Sequence, residues 1–212
     1  MVKRNNTIIY VVDDDVSVCR SLSLLLKSHG FKVETFTRAA EFLAFKHPKV
    51  PSCLLLDIRL PDINGLILQE KMIQQGINIP IIFITGHGDV PKSVKAIKAG
   101  AIDFFIKPFT APKLLDAIAL ALVESKAANR KQAEKAKIWR NIKTLSPREL
   151  EVFRLVVNGM LSKQIALKRG TALQTIKVHR QRVMHKMQAK TVTDLIHLAQ
   201  KAGITSSQAN HP

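Results

Sequence analysis

Residues 54–65 read Leu-Leu-Leu-Asp-Ile-Arg-Leu-Pro-Asp-Ile-Asn-Gly, and this stretch limits the folds open to the chain more than any other. Three leucines running straight into Asp57 form an unbroken apolar run, as expected of a strand covered on both faces in a parallel sheet. Asp57 falls where such a strand ends, and Pro61 and Gly65 impose a loop before the next helix. Open α/β sheets bind ligands beyond the carboxyl ends of their strands. The function of Asp57 therefore depends on what the neighbouring strands end in.

The pattern around this stretch repeats. Apolar strands are expected over 7–12, 33–36, 53–57, 79–85 and 102–107. Helices are expected over 16–28, 39–46, 66–75, 90–99 and 110–122, with Asp15 and Thr37 as caps of the first two. Strands alternating with helices give an α/β fold, here a doubly wound, five-stranded parallel sheet with right-handed crossovers. In the flavodoxin-like order 2-1-3-4-5, the first and third strands are neighbours. Asp13 and Asp14 then stand beside Asp57, while Thr85 ends the fourth strand and Lys107 the fifth.

This set of residues has a chemical logic. Clustered carboxylates repel one another, and a hard divalent cation relieves the repulsion. Mg²⁺ (or Mn²⁺) suits a few carboxylates plus phosphate oxygens. Asp57 is placed to attack a phosphoryl donor and become an aspartyl phosphate. Lys107 and the Thr85 hydroxyl are placed to meet the phosphoryl oxygens. Each residue alone has a plainer reading: a turn or cap aspartate, a solvated lysine, a flexible Thr-Gly-His-Gly loop. The case rests on their joint position at strand ends.

Asp13-Asp14, Asp57 with Pro61 and Gly65 after it, Thr85, and Lys107-Pro108 together resemble the receiver domain of bacterial two-component response regulators. The resemblance covers residues 7–122. It implies metal binding by Asp14, Asp57 and the Arg59 backbone carbonyl, with Asp13 nearby, and a switch formed by Thr85 and Phe104. A tyrosine is common at the position of Phe104, so any bond from its hydroxyl is absent here. Residues 84–91 and 98–104 are similar to the FixJ-type subgroup. The resemblance also implies phosphorylation of Asp57 by a histidine kinase or a small phosphodonor. Dimerisation through the face of 90–99, 102–107 and 111–122 would follow.

Charge separates a second part of the chain. The net charge is +17, yet residues 1–122 hold 15 Lys/Arg against 11 Asp/Glu, while 144–212 hold 11 against 3. A basic excess concentrated in one segment points to nucleic acid. Residues 123–143 lack Gly and Pro and are rich in Ala, Lys, Glu and Gln; a helical linker and a flexible charged tether both fit them. Trp139 and Ile142 are expected to dock on a domain.

The last part reads as an all-α, four-helix domain. Ser146, Pro147 and Glu149 form a helix start with a capping box. Helices are expected over 147–158, 162–168, 174–188 and 192–202, and Gly170 makes the short turn of a helix-turn-helix. On the third helix Ile176, Val183 and Met187 face inward. Val178, Gln181, Arg182 and His185 lie opposite, flanked by Lys177 and Lys186. An apolar valine on that polar stripe suits a thymine methyl in a major groove. Lys177 and Gln181 suit base edges, and Arg180, Arg182 and Lys186 suit phosphates. Residues 144–203 resemble the LuxR/NarL-type DNA-binding domain through Leu-Ser-Pro-Arg-Glu-Leu-Glu-Val, Lys-Gln-Ile-Ala and the run from Thr175, Thr-Ile-Lys-Val-His-Arg. The turn departs from the usual Leu-Gly-Ile-Ser: it is Arg169-Gly170-Thr171-Ala172, which bears on its rigidity.

The division expected is a receiver at 1–122, a linker at 123–143, a DNA-binding domain at 144–203 and a disordered end at 204–212. No apolar run approaches the roughly 18 residues of a membrane span. Cys19 and Cys53 lie in apolar segments, as reduced core residues of a cytoplasmic protein do. The overall expectation is a phosphorylation-controlled transcription factor that binds double-stranded DNA as a homodimer. Two rivals are a phosphorylation-independent DNA-binding protein with the receiver as dimerisation module, and a flavodoxin-like phosphohydrolase. The hydrolase lacks a second aspartate two residues beyond Asp57, where Arg59 stands.

Overall fold

A computed structural model describes residues 6–86, 94 and 96–204. Two compact units divide it, Met1–Arg130 and Lys131–Pro212. In the first, strands β1 (Ile8–Val12), β2 (Lys32–Phe36), β3 (Ser52–Leu56), β4 (Ile81–Thr85) and β5 (Asp103–Ile106) alternate with helices α1 (Val16–Ser28), α2 (Ala39–Ala44) and α3 (Gly65–Gln74). The strands form one parallel sheet in the order β2-β1-β3-β4-β5. Of the helix expected over 90–99, Val94 and residues 96–98 are helical; residues 87–93 and 95 lie outside the described residues.

Alternation along the strands sends side chains to two covered faces. Ile9, Val11, Cys53, Leu55, Ile82 and Ile84 pack with α1 and with the start of helix α4 (Ala111–Lys143). Tyr10, Val12, Leu54, Leu56 and Phe83 pack on the other face with α2 and α3. The central strands β3 and β4 are buried throughout, as their unbroken apolar runs require. Asp15 caps α1, accepting from the Ser17 and Val18 amides. Thr37 does not cap α2: the N-cap is Arg38, with no side-chain bond of its own. Instead the Asp62 carboxylate accepts from Ala39 N at 3.2 Å and Ala40 N at 2.9 Å.

Helix α4 spans 33 residues, so the segment 123–143 is helical. Leu114, Ala117, Ile118, Ala121 and Leu122 pack inward, and the last buried position in this unit is Ser125. Its Oγ accepts from Ser52 N, at the start of β3, at 3.0 Å.

The second unit holds α5 (Pro147–Val157), α6 (Ser162–Arg169), α7 (Leu173–Met187) and α8 (Val192–Ala202). Its core joins Ile138 and Ile142 to Val152, Phe153, Val156, Ile165, Ile176, Val183, Met187, Leu195 and Ala199. The expected capping box is present at Ser146/Glu149, and a second stands at Thr191/Asp194. Trp139 Nε1 donates to the Ala202 carbonyl at 3.2 Å. Ile204, placed in the tail by its sequence, packs against this core; residues 205–212 lie outside the described residues.

Candidate phosphoryl-acceptor site and DNA-facing helix

Strand register builds the acidic site. Val12 pairs with Leu56, so the residues that follow them, Asp13 and Asp57, emerge side by side. The Asp57 amide donates to the Val12 carbonyl at 2.8 Å, which carries the pairing one step past the strand. The loop beyond is held by its own backbone: Gly65 N donates to Ile58 O at 2.8 Å, and Asn64 caps α3 at Leu66 N. A Cβ at Gly65 would lie 2.4 Å from the Asp57 carbonyl oxygen, so only glycine lets α3 start this close to the strand. Asp62 ties the same loop to α2. Its slight burial opposes ionisation, but the amides of Ala40 and Ala39 outweigh that and hold its carboxyl below the usual range.

Asp13, Asp14 and Asp57 each place an oxygen within 4.8 Å of the others; Asp13 and Asp57 are buried and Asp14 is exposed. Lys107 Nζ lies 2.6 Å from Asp13 Oδ2 and 3.6 Å from Asp57 Oδ2. The ammonium thus sits mainly on Asp13. Burial raises the Asp57 carboxyl pKa, the Asp13 charge adds to the effect, and Lys107 only partly opposes it. For Lys107, burial favours the neutral amine, but the two carboxylates outweigh it and raise its pKa. One ammonium among three carboxylates leaves negative charge uncompensated, and hard oxygen donors are what Mg²⁺ takes. The Arg59 amide donates to Asp57 Oδ1 at 3.3 Å. Thr85 is buried at the end of β4, and its carbonyl accepts from Lys107 N at 2.7 Å. Phe104, partly buried on β5, lies tilted against Phe83 with centroids 6.4 Å apart. The sequence signals gathered these residues at one sheet edge; they did not foresee Asp62 in α2's cap.

On α7 the inward residues Ile176, Val183 and Met187 are buried, and Thr175, Lys177, Val178, Gln181, Arg182 and His185 are exposed. Two of the basic residues have partners within the unit. Arg180 Nη1 donates to Ser162 Oγ at 3.1 Å. Lys186 Nζ donates to Glu149 Oε2 at 2.6 Å and to the Thr144 carbonyl at 3.0 Å. Glu149 is itself buried and caps α5 at Ser146 N. The capping box was legible in the sequence, but the lysine 37 positions away was not. In the polar turn, Ala172 is the N-cap of α7 and supplies no side-chain bond. Gly170 adopts the left-handed conformation (φ 59°), and the Arg169 guanidinium pairs with Glu151 of α5.

A parallel sheet ending in three carboxylates and a lysine, in one chain with a helix-turn-helix, is the make-up of a response regulator that controls transcription. Comparison with known proteins agrees. Residues 9–119 match the family described as response regulator receiver domain, and residues 143–199 match bacterial regulatory proteins, luxR family. Nodulation protein W of Bradyrhizobium diazoefficiens is 45% identical over 204 residues, 96% of this chain and 88% of its own. The transcriptional regulatory protein FixJ of Azorhizobium caulinodans is 37% identical over 96% of this chain and 97% of its own. The solved structure of the response regulator StyR is 41% identical and aligns over 92% of this chain and 99% of its own, with a TM-score of 0.80. The chain belongs to the response regulators that join a receiver domain to a LuxR-type DNA-binding domain. That family regulates transcription and is not one of enzymes in the ordinary sense, which sets aside the phosphohydrolase.

Proposed function

We propose that Asp57 is the phospho-acceptor and that its modification switches DNA binding on. A carboxylate oxygen of Asp57 attacks the phosphorus of a phosphohistidine on a cognate histidine kinase, or of a small acyl phosphate. An acyl phosphate forms as the donor's P–N or P–O bond breaks. Asp13, Asp14 and Asp57, with the Arg59 carbonyl, would hold Mg²⁺ or Mn²⁺, which when bound supplies positive charge against the incoming phosphoryl oxygens. Lys107 shifts from Asp13 toward those oxygens. Thr85 follows with its hydroxyl, and Phe104 repacks. The exposed apolar residues Ile97, Ile106, Leu120 and Val123 then serve a homodimer contact. Two copies of α7 bind paired half-sites, Lys177, Val178 and Gln181 at base edges and Thr175, Arg180 and Arg182 at the backbone, while Lys186, which the sequence places with the phosphate contacts, stays on Glu149.

In this reading residues 1–122 receive, 123–143 connect and 144–203 bind DNA. The chain accepts one phosphoryl group per molecule and at most catalyses its own modification and hydrolysis. A cytoplasmic location goes with a kinase and a promoter as partners; among the described residues no helix is long and apolar enough to cross a membrane. The observation that carries the proposal is the cluster of Asp13, Asp14 and Asp57 with Lys107 3.6 Å from the acceptor oxygen. The full chain incubated with acetyl phosphate and Mg²⁺ should gain an acyl phosphate and elute as a dimer. Asp57→Asn should do neither, and labelling that persisted in the variant would refute the assignment.

A further inference from the structure

Gln69 is a polar side chain in an apolar place. It is 3% exposed, on a helix whose other buried side chains are Leu66, Leu68 and Met72. Its Nε2 donates to the carbonyls of Ala99 at 3.1 Å and Ala96 at 3.4 Å. Both partners are acceptors, so the amide nitrogen, not the oxygen, must face them. These carbonyls belong to the end of the helical segment that closes at Gly100. The last carbonyls of any helix lack partners within it. Here Gly100 N donates to Ile97 O and Ala101 N to Ala96 O, while the Ala99 carbonyl is met by Gln69. A side chain of α3 thus caps the carboxyl end of another helix.

The other end of α3 touches the acceptor loop. Gly65 N is bonded to Ile58 O, and the Gly65 backbone lies against the Asp57 carbonyl. Gly65 and Gln69 stand four residues apart, one above the other on one face of α3. A short, stiff path therefore runs from the residue after Asp57, through one turn of helix, to Ala96 and Ala99. We propose that Gln69 is a positioning residue that makes the end of the helical segment at 96–99 follow α3, and so couples that end to the loop after Asp57. The part of this proposal that concerns signalling rests on Asp57 being the phospho-acceptor.

Two substitutions in the full chain test it. Gln69→Met keeps the length and loses both donors. Gln69→Glu keeps the shape and places a carboxylate against two carbonyl oxygens; when protonated it regains one donor. Amide hydrogen exchange is measured without phosphodonor, and the strand β1 amides report whether the sheet is intact. In Gln69→Met the Gly100 and Ala101 amides should lose about tenfold in protection while β1 keeps its own. In Gln69→Glu the same protection should return as pH falls, against a flat profile for Gln69→Met. Unchanged protection at Gly100 and Ala101 in Gln69→Met, or no recovery in Gln69→Glu, would overturn the cap. With acetyl phosphate and Mg²⁺, Gln69→Met should reach the parent's phosphoryl occupancy but form at least threefold less dimer at equal occupancy. Equal dimer at equal occupancy would overturn the coupling. Absence of labelling in the parent would refute the acceptor assignment, and with it the signalling part, whereas the exchange result would still decide the cap.

Discussion

Gly65 decides more by what it lacks than most residues do by what they carry. With any side chain there, the start of α3 would have to move off the Asp57 carbonyl, because backbone on both sides cannot yield as a flexible side chain would. Gly65→Ala should therefore destabilise the first unit by about 1–3 kcal/mol, the usual cost of forced overpacking, and also slow acyl phosphate formation at Asp57. Urea unfolding and the initial rate of labelling by acetyl phosphate check the two effects separately. A stable variant labelled at the parent rate would show that the loop has room to spare. The glycine was legible in the sequence as a loop former, but the close approach that requires it was not. Asp62 is the complementary case. Thr37 has the type and position of a cap, and local reasoning chooses it. The amides of Ala39 and Ala40 are instead met by a carboxylate 23 and 22 residues away, and no local pattern encodes that pairing. Asp57, Asp13, Asp14 and Lys107 were readable because each follows an apolar strand, and strand order alone brings such ends together.

Strands β3 and β4 were plain in the sequence because burial on both faces leaves unbroken apolar runs, whereas β5 is an edge strand with a mixed pattern and came out shorter than expected. The stretch of α4 over 123–143 was the ambiguous element. Its composition favours helix without supplying an apolar face, and beyond the core residue Leu122 its last buried group in the first unit is the Ser125 hydroxyl, on the Ser52 amide of β3. Ser125→Ala leaves that buried amide without a partner, which should cost about 1–3 kcal/mol. Hydrogen exchange at Ser52 should rise while exchange in the second unit stays unchanged; equal protection in the variant would mean that the bond does not hold the helix. In the second unit the α5 start carries a pH dependence. Lys186 and the Ser146 amide hold the Glu149 carboxyl below its usual 4.5. A depressed pKa means that the bond is fully present above the unfolded value and is lost as pH falls through the folded one. Thermal stability of the second unit should drop on acidification below the normal glutamate range, and Glu149→Gln should flatten that drop while lowering stability at neutral pH. A parent and variant with parallel pH profiles would remove Glu149 as the titrating group.

The uneven distribution of charge separates the work of the two units. Residues 1–122 carry a net +4 and residues 144–212 a net +8, so the basic excess is concentrated in the segment that contains α7. Binding by such a surface releases counterions, and affinity falls with salt by roughly 0.9 in logarithmic slope per phosphate neutralised. The basic residues of α7 are not equivalent in this respect. Arg182 is exposed, whereas Lys186 is bonded to the buried Glu149 and to the Thr144 carbonyl. Arg182→Ala should weaken binding to all sequences and reduce the salt slope by about 1. Lys186→Ala should change the slope less and instead lower the melting temperature, since it strands a buried carboxylate. Lys177→Ala together with Gln181→Ala should leave the backbone contacts in place and lower the ratio of operator to random-sequence affinity. Fluorescence anisotropy with both DNAs across a series of KCl concentrations separates these outcomes. If Lys186→Ala reduced the slope as much as Arg182→Ala at unchanged stability, the Glu149 pair would have to open on DNA. Lys186 would then serve the phosphate backbone in the complex and α5 only in the free protein.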